Sequence, residues 1–270
     1  MAEHIAGSET EFVNRMNEKC KVLGMENTHF LNCCGLDDDI DKGHYSSAKD
    51  IAIMSRELIY RFPEVSEYAT TWMDTITHVT RRGESEFGLT NTNKLIRTYE
   101  GITGLKTGST SKAKYCLSAT AKRNGINLIA VVLGAPTPVL RFKEASMLLD
   151  YGFGNCSIYE DKQENFSNQY LPIIKGKEEQ VEILAENEFS YICLAGEHVE
   201  DITKTVNLLE KVEAPVKKGD IVGTIDYYMN GAKIGSVHII ANDSVEKMTY
   251  MDCLEKMVYK FFLRKNAEEK

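Results

Sequence analysis

Apolar residues in the first quarter of the chain recur at helical spacing. Ile5, Phe12, Val13, Met16, Val22 and Leu23 predict a helix from residue 2 to about Leu23, with no capping residue ahead of it. The run NCCGLDDDIDKGHYSS is polar and predicts a loop. A second helix follows over Ala48 to Tyr60, with Ser46 or Ser47 placed to cap it. A short helix is expected after Pro63, which suits a first helical turn.

The period changes over residues 74–134. Thr75 to Thr80 and Glu86 to Thr90 flank Arg82-Gly83 and predict a hairpin. Tyr115 to Lys122 and Ile126 to Gly134 flank Asn124-Gly125, a strong turn signal, and predict another. The run LIAVVLG is apolar on both faces and is expected in the middle of a sheet, covered by helices on each side. A helix over Val139 to Tyr151, ending at Gly152, supplies one cover.

Beyond about residue 156 the pattern shortens to strands: Val181 to Leu184, Tyr191 to Leu194, Thr205 to Val212, Val222 to Tyr228 and Ala232 to Ile240, the last two joined at Asn230-Gly231. No long helix interrupts them, so a small β-sandwich is expected. The final stretch sets Met248, Met251, Leu254, Met257, Val258, Phe261 and Phe262 on one helical face, with Lys256, Lys260, Arg264 and Lys265 elsewhere. Such a helix docks on protein or lies in a membrane interface. The expected organisation is a mixed α/β (α+β) domain over residues 1–155, a β-sandwich over 156–244 and an amphipathic helix, a possible membrane anchor, over 245–270.

Composition narrows the function classes. The chain has 270 residues, 43% of them hydrophobic and 27% charged, enough to build a core. A net charge of -8 argues against nucleic acid as a partner, because no basic face neutralises phosphates. Cys20, Cys33, Cys34, Cys116, Cys156, Cys193 and Cys253 form no C-x-x-C pair and are odd in number, so they read as free thiols rather than a zinc site or disulfide frame. Cys33-Cys34 is either a pair of loop thiols or a reactive or metal-binding pair. The start MAEHIAGSETEFVNRMNEK has no basic segment followed by an apolar one, so no signal peptide is expected in this reading frame.

The chemistry concentrates at Lys106-Thr107-Gly108, just before the second hairpin. A lysine and a threonine on a strand beside a cleft present a cation and a hydroxyl, and glycine lets a substrate backbone approach. The tripeptide also suits an ordinary polar strand start. Its surroundings add order: GLDDDIDKGHYSSAKDIAIMSRELI, then NTNKLI, then GLKTGST, then VEAPVKKGDIVGTIDYYMNGAKIGSV. In that order these segments resemble the serine-type D-alanyl-D-alanine carboxypeptidases, the low-molecular-mass penicillin-binding proteins, over nearly the whole chain.

The resemblance implies a penicillin-binding/β-lactamase-like transpeptidase domain, incomplete at its N-terminus, then the family's β-domain. It implies removal of the terminal D-alanine from peptidoglycan stem peptides through an acyl-serine intermediate, without metal or organic cofactor. Lys106, Thr107 and Gly108 would bind substrate, and the Ser109 N–H would supply half of an oxyanion hole. Arg141 matches the family arginine that helps hold the substrate carboxylate; read plainly, it is an exposed residue in a first helical turn. A related β-lactamase or transpeptidase is the neighbouring alternative. A non-catalytic fragment that binds cell-wall peptides or a membrane surface is the alternative of another class.

The nucleophile is not among the matched residues. S-x-x-K occurs at Ser46/Lys49, Ser109/Lys112, Ser111/Lys114 and Ser244/Lys247, none at the place the resemblance requires, and S-x-N does not occur. The family's S-x-N lies a few residues before the counterpart of Ala2 to Gly7. The expectation is therefore that Met1 is an internal methionine or the edge of a broken gene. The parent would be extracytoplasmic, membrane-associated and able to bind β-lactams, whereas this chain alone would be inactive. Two departures stand out: Cys33-Cys34, where Pro-His is usual, and Lys114, where glycine is common.

Overall fold

The computed structural model describes residues 1–38, 40–81, 83–162 and 169–263. It divides into two compact units, Met1–Cys156 and Ser157–Lys270.

The first unit opens with two helices rather than one, α1 (Ala2–Ala6) and α2 (Glu9–Leu23). Gly7 takes a left-handed φ of 81° and closes α1; Ser8 is extended and its Oγ accepts from Glu11 N at 3.1 Å. The uncapped helix expected from residue 2 is thus corrected by a Gly-Ser break and an S-x-x-E cap. Helix α3 (Ala48–Arg61) starts as expected, capped by Ser47, and α4 (Val65–Thr70) follows Pro63. Strands β1 (Met73–Thr80) and β2 (Gly83–Thr90) pair with each other as a separate hairpin; Arg82, at its turn, lies outside the described residues.

After α5 (Leu95–Thr98) come β3 (Ile102–Thr110), β4 (Lys114–Arg123) and β5 (Ile126–Ala135), an antiparallel sheet in the order β3-β4-β5. The LIAVVLG run is therefore an edge strand among the described residues, with Leu133 41% exposed. The central strand is β4, whose Leu117, Ala119 and Ala121 pack with Ala130 and Val132 against Ala145 and Leu149 of α6 (Pro138–Asn155). Helix α6 starts at the Thr137 cap and runs through Gly152, not to it. A Cβ at Gly152 would lie 2.6 Å from Leu128, so this glycine serves close helix–sheet packing rather than a helix end. On the opposite face α3 covers β5 and α4 covers β3.

The second unit is all-β with a terminal helix. Strands β6 (Ser157–Asp161), β7 (Gln169–Ile174), β8 (Gln180–Ala185), β9 (Phe189–Cys193), β10 (Ile202–Leu208), β11 (Val212–Glu213), β12 (Ile221–Met229) and β13 (Ala232–Ala241) make a six-stranded sheet, β10-β12-β13-β8-β7-β11, and a ribbon of β6 and β9. The sequence pattern did not anticipate β6 and β7. The strand expected over Thr205 to Val212 is two, because Leu209 to Lys211 turn away between β10 and β11. Phe189 of the ribbon stacks on Tyr227 of the sheet at 3.7 Å between ring centroids, over the space left by Gly235. Helix α7 (Tyr250–Leu263) exposes Met251, Met257, Val258 and Phe261; Met248 precedes it, and the Phe262 side chain, Arg264 and Lys265 lie outside the described residues. Among the described residues no helix is long and apolar enough to cross a membrane.

Candidate active site

Lys106, Thr107 and Gly108 sit in the middle of β3, an edge strand, opposite Ser118, Leu117 and Cys116 of β4. Lys106 is exposed and its Nζ donates to the Thr107 carbonyl at 2.6 Å. Thr107 is buried, its Oγ1 2.5 Å from the Thr92 Oγ1. Gly108 and Ser109 are exposed.

Two asparagines before the strand fix its position. Asn91 Nδ2 donates to the carbonyls of Ala69 and Thr71, and Asn91 Oδ1 accepts from Asn93 N. Asn93, 1% exposed, donates to the Gly104 carbonyl at 3.2 Å. The N-T-N run thus ties α4, β3 and the threonine of K-T-G together. It belongs to a segment the sequence singles out, yet none of its residues was expected in the site, because its role is carried by hydrogen bonds across 11 to 22 residues.

Beside the strand lies a cavity of about 860 Å³. It opens between α3, α4 and the strands and is lined by Met54, Leu58, Tyr68, Leu105, Leu133 and the K-T-G residues. Its walls are mostly apolar. Among its polar lining residues Ser55 and Ser118 are buried and pair, Oγ to Oγ, at 2.8 Å.

Arg141 is not exposed, as its plain reading had it, but 7% accessible. Its Nη1 donates to the carbonyls of Gly108 at 3.2 Å and Cys116 at 3.3 Å, and its guanidinium lies near the Tyr115 and Phe142 rings. Its Nε is buried without a partner, and burial lowers its pKa. Arg141 does not line the cavity; it grips the β3–β4 pair at Gly108.

Asp37 and Ile40 reach the far end of the same strand and the turn beyond it. Thr110 Oγ1 donates to Asp37 Oδ2 at 2.6 Å, and Lys112 Nζ to the carbonyls of Asp37 and Ile40. Asp50, 1% exposed, accepts from Asn27 N and Thr28 Oγ1, both at 2.7 Å. Burial raises its pKa, but these bonds outweigh it and leave the group below its ordinary 3.8. All seven cysteines are free; Cys33 Sγ donates to Glu9.

None of the four S-x-x-K serines lines the cavity. Ser46 Oγ bonds Thr28 Oγ1, Lys112 is held by the loop, and Ser244 Oγ accepts from Lys218 N. Lys114 takes a φ of 58°, the left-handed region, which accounts for the glycine common there.

The sequence matches the family described as D-alanyl-D-alanine carboxypeptidase over residues 1–137. The chain belongs to that family. Residues 153–247 match the C-terminal domain of penicillin-binding protein 5. The chain is 36% identical to the D-alanyl-D-alanine carboxypeptidase DacF of Bacillus subtilis, over 95% of its own length and 64% of the relative's. It is 32% identical to DacC of Escherichia coli, over 92% and 59% respectively. It therefore spans about three-fifths of the length of the curated relatives it matches. Among solved structures it resembles PBP3 of Streptococcus pneumoniae, with a TM-score of 0.66 at 27% identity over 91% of this chain and 72% of that one. It likewise resembles penicillin binding protein 5 of Haemophilus influenzae, with a TM-score of 0.62 at 28% identity over 91% and 69%. The strands of the second unit agree with the match to that C-terminal domain.

Proposed function

We propose that this chain forms the K-T-G wall of a serine D-Ala-D-Ala carboxypeptidase acting on peptidoglycan stem peptides. The observation that carries the reading is the braced strand β3, with Lys106, Thr107 and Gly108 lining a mostly apolar cavity. Lys106 supplies the cation and Thr107 the hydroxyl for the peptide's terminal carboxylate. Gly108 gives the backbone approach, and Ser109 N–H donates to the oxyanion of the tetrahedral intermediate. Arg141 serves the carboxylate end through the strand, by fixing Gly108.

The nucleophilic serine comes from polypeptide outside these 270 residues and faces Lys106-Thr107-Gly108 across the cavity, with its lysine as base. No cofactor enters the reaction, and β-lactams acylate the same serine. The engagement of Ser46, Lys112 and Ser244 elsewhere supports an external nucleophile. A fluorescent penicillin tests this. The chain alone should stay unlabelled, and co-expression with the portion of the Bacillus relative that has no counterpart here should restore covalent labelling. Stoichiometric labelling of the chain alone would overturn the external nucleophile.

A second reading concerns location. The exposed Met251, Met257, Val258 and Phe261 of α7 favour attachment to a membrane surface, which suits an extracytoplasmic parent. Co-sedimentation with anionic liposomes should fall when residues 245–270 are removed; unchanged binding would sink the anchor.

A further inference from the structure

Among the described residues the β1–β2 hairpin pairs only with itself, and every residue of both strands is exposed. Two strands alone are marginal in water, so what completes such a sheet is a physical question. Its free edges differ in chemistry. Strand β1, M-D-T-I-T-H-V-T, has five β-branched residues among eight, one carboxylate and neither glycine nor proline. Strand β2 carries Gly83, Glu84, Glu86 and Gly88, the charges and gaps that blunt an edge.

The register says which backbone groups are free. Asn91 N donates to the Trp72 carbonyl at 2.8 Å at the base, and Thr80 faces Gly83 at the tip. Hydrogen-bonded pairs alternate along an antiparallel ribbon, so Asp74/Leu89, Ile76/Phe87 and His78/Ser85 exchange bonds within it. The N–H and C=O groups of Thr75, Thr77 and Val79 then point outward. Asp74 Oδ1 accepts from Thr75 N at 2.8 Å and occupies one of them. Thr77 and Val79 are left open.

We infer that the outer edge of β1 pairs antiparallel with β1 of a second copy of this chain. Each Thr77 exchanges backbone bonds with the partner's Val79, joining two hairpins into a four-stranded sheet in the order β2-β1-β1-β2. Charge selects this arrangement over the others. A β2–β2 contact would gather Glu84 and Glu86 of both copies, whereas β1–β1 sets no Asp74 opposite its own copy. A β1–β2 contact is head-to-tail and does not close, while β1–β1 is two-fold and does.

Sedimentation velocity of the full chain over a range of concentrations tests this. Proline at an outward position removes an intermolecular donor and leaves the hairpin's own ladder intact. The wild-type chain should form a concentration-dependent dimer. Thr77→Pro should weaken it by more than about tenfold in dissociation constant, with unchanged emission from Trp72, the single tryptophan. Glu86→Pro, the matching outward position on β2, should leave the dimer as it was. If Thr77→Pro alters Trp72 emission, Thr77→Lys decides, since two ammonium groups near the two-fold axis should also split the dimer. A monomer at every concentration, a dimer indifferent to both Thr77 variants, or equal loss in Glu86→Pro would overturn the inference.

Discussion

The Thr92 and Thr107 hydroxyls meet at 2.5 Å, joining the N-T-N run to the K-T-G strand. One hydroxyl donates and the other accepts, so Thr107 presents its remaining hydrogen-bonding capacity in a set direction. Thr92→Val should destabilise the first unit by about 1–2 kcal/mol, the usual effect of stranding one partner of a largely buried bond. Urea unfolding followed by Trp72 emission measures it. In a chain with its serine restored, the same change should slow acylation by penicillin.

Ser55 and Ser118 pair their hydroxyls on the cavity wall. Removing one should cost about 1–2 kcal/mol, whereas removing both should cost little more than either alone, because no orphan hydroxyl is left. The comparison needs Ser55→Ala, Ser118→Ala and the double variant; strictly additive losses would contradict the pairing.

Arg141 supplies donors to two carbonyls of neighbouring strands. Arg141→Met should destabilise the first unit by about 2–4 kcal/mol and speed hydrogen exchange at the amides of Ser109 and Thr110. Arg141→Lys should recover only part of the loss, since one ammonium lacks the planar fork. Exchange unchanged in Arg141→Met would show that the arginine does not brace the strand.

Lys114 holds a left-handed backbone at the turn between β3 and β4. Lys114→Gly should stabilise the chain by about 0.5–1 kcal/mol, the relief of the Cβ contact exceeding the added freedom of the unfolded chain. Thermal unfolding of the two proteins side by side gives the sign.

Asp50 has its pKa lowered by folding, from 3.8. The contribution of this carboxylate is therefore present above the unfolded value and is lost as pH falls through 3.8 and below. Stability measured from about pH 6 down to pH 3 should drop in the wild-type chain. Asp50→Asn should be less stable at neutral pH and flatter across that window. Parallel curves would remove Asp50 as the source.

Much of the architecture is legible in local chemistry. Helix α3 follows from Ser47 and a 3.6-residue apolar period, and the β4–β5 and β12–β13 turns from Asn-Gly pairs whose residues take positive φ. Errors arose where one local signal served two physical ends. Gly152 reads as a helix stop but is a packing contact, and LIAVVLG reads as a central strand but has a strand neighbour on one side alone among the described residues. An apolar run records only that both faces meet apolar groups, not which strand stands beside it.

The sequence by itself determined the family, because an ordered set of segments is a one-dimensional property, and it determined the K-T-G residues within them. The tertiary structure decided what holds those residues: Thr92 at Thr107, Asn93 at Gly104, Arg141 at Gly108, and the cavity between α3, α4 and β3. Each of these is a contact between groups 11 to 33 residues apart, or a space between helices. Periodicity and propensity act over a few residues, so only the folded arrangement of α3, α4 and the sheet could reveal them.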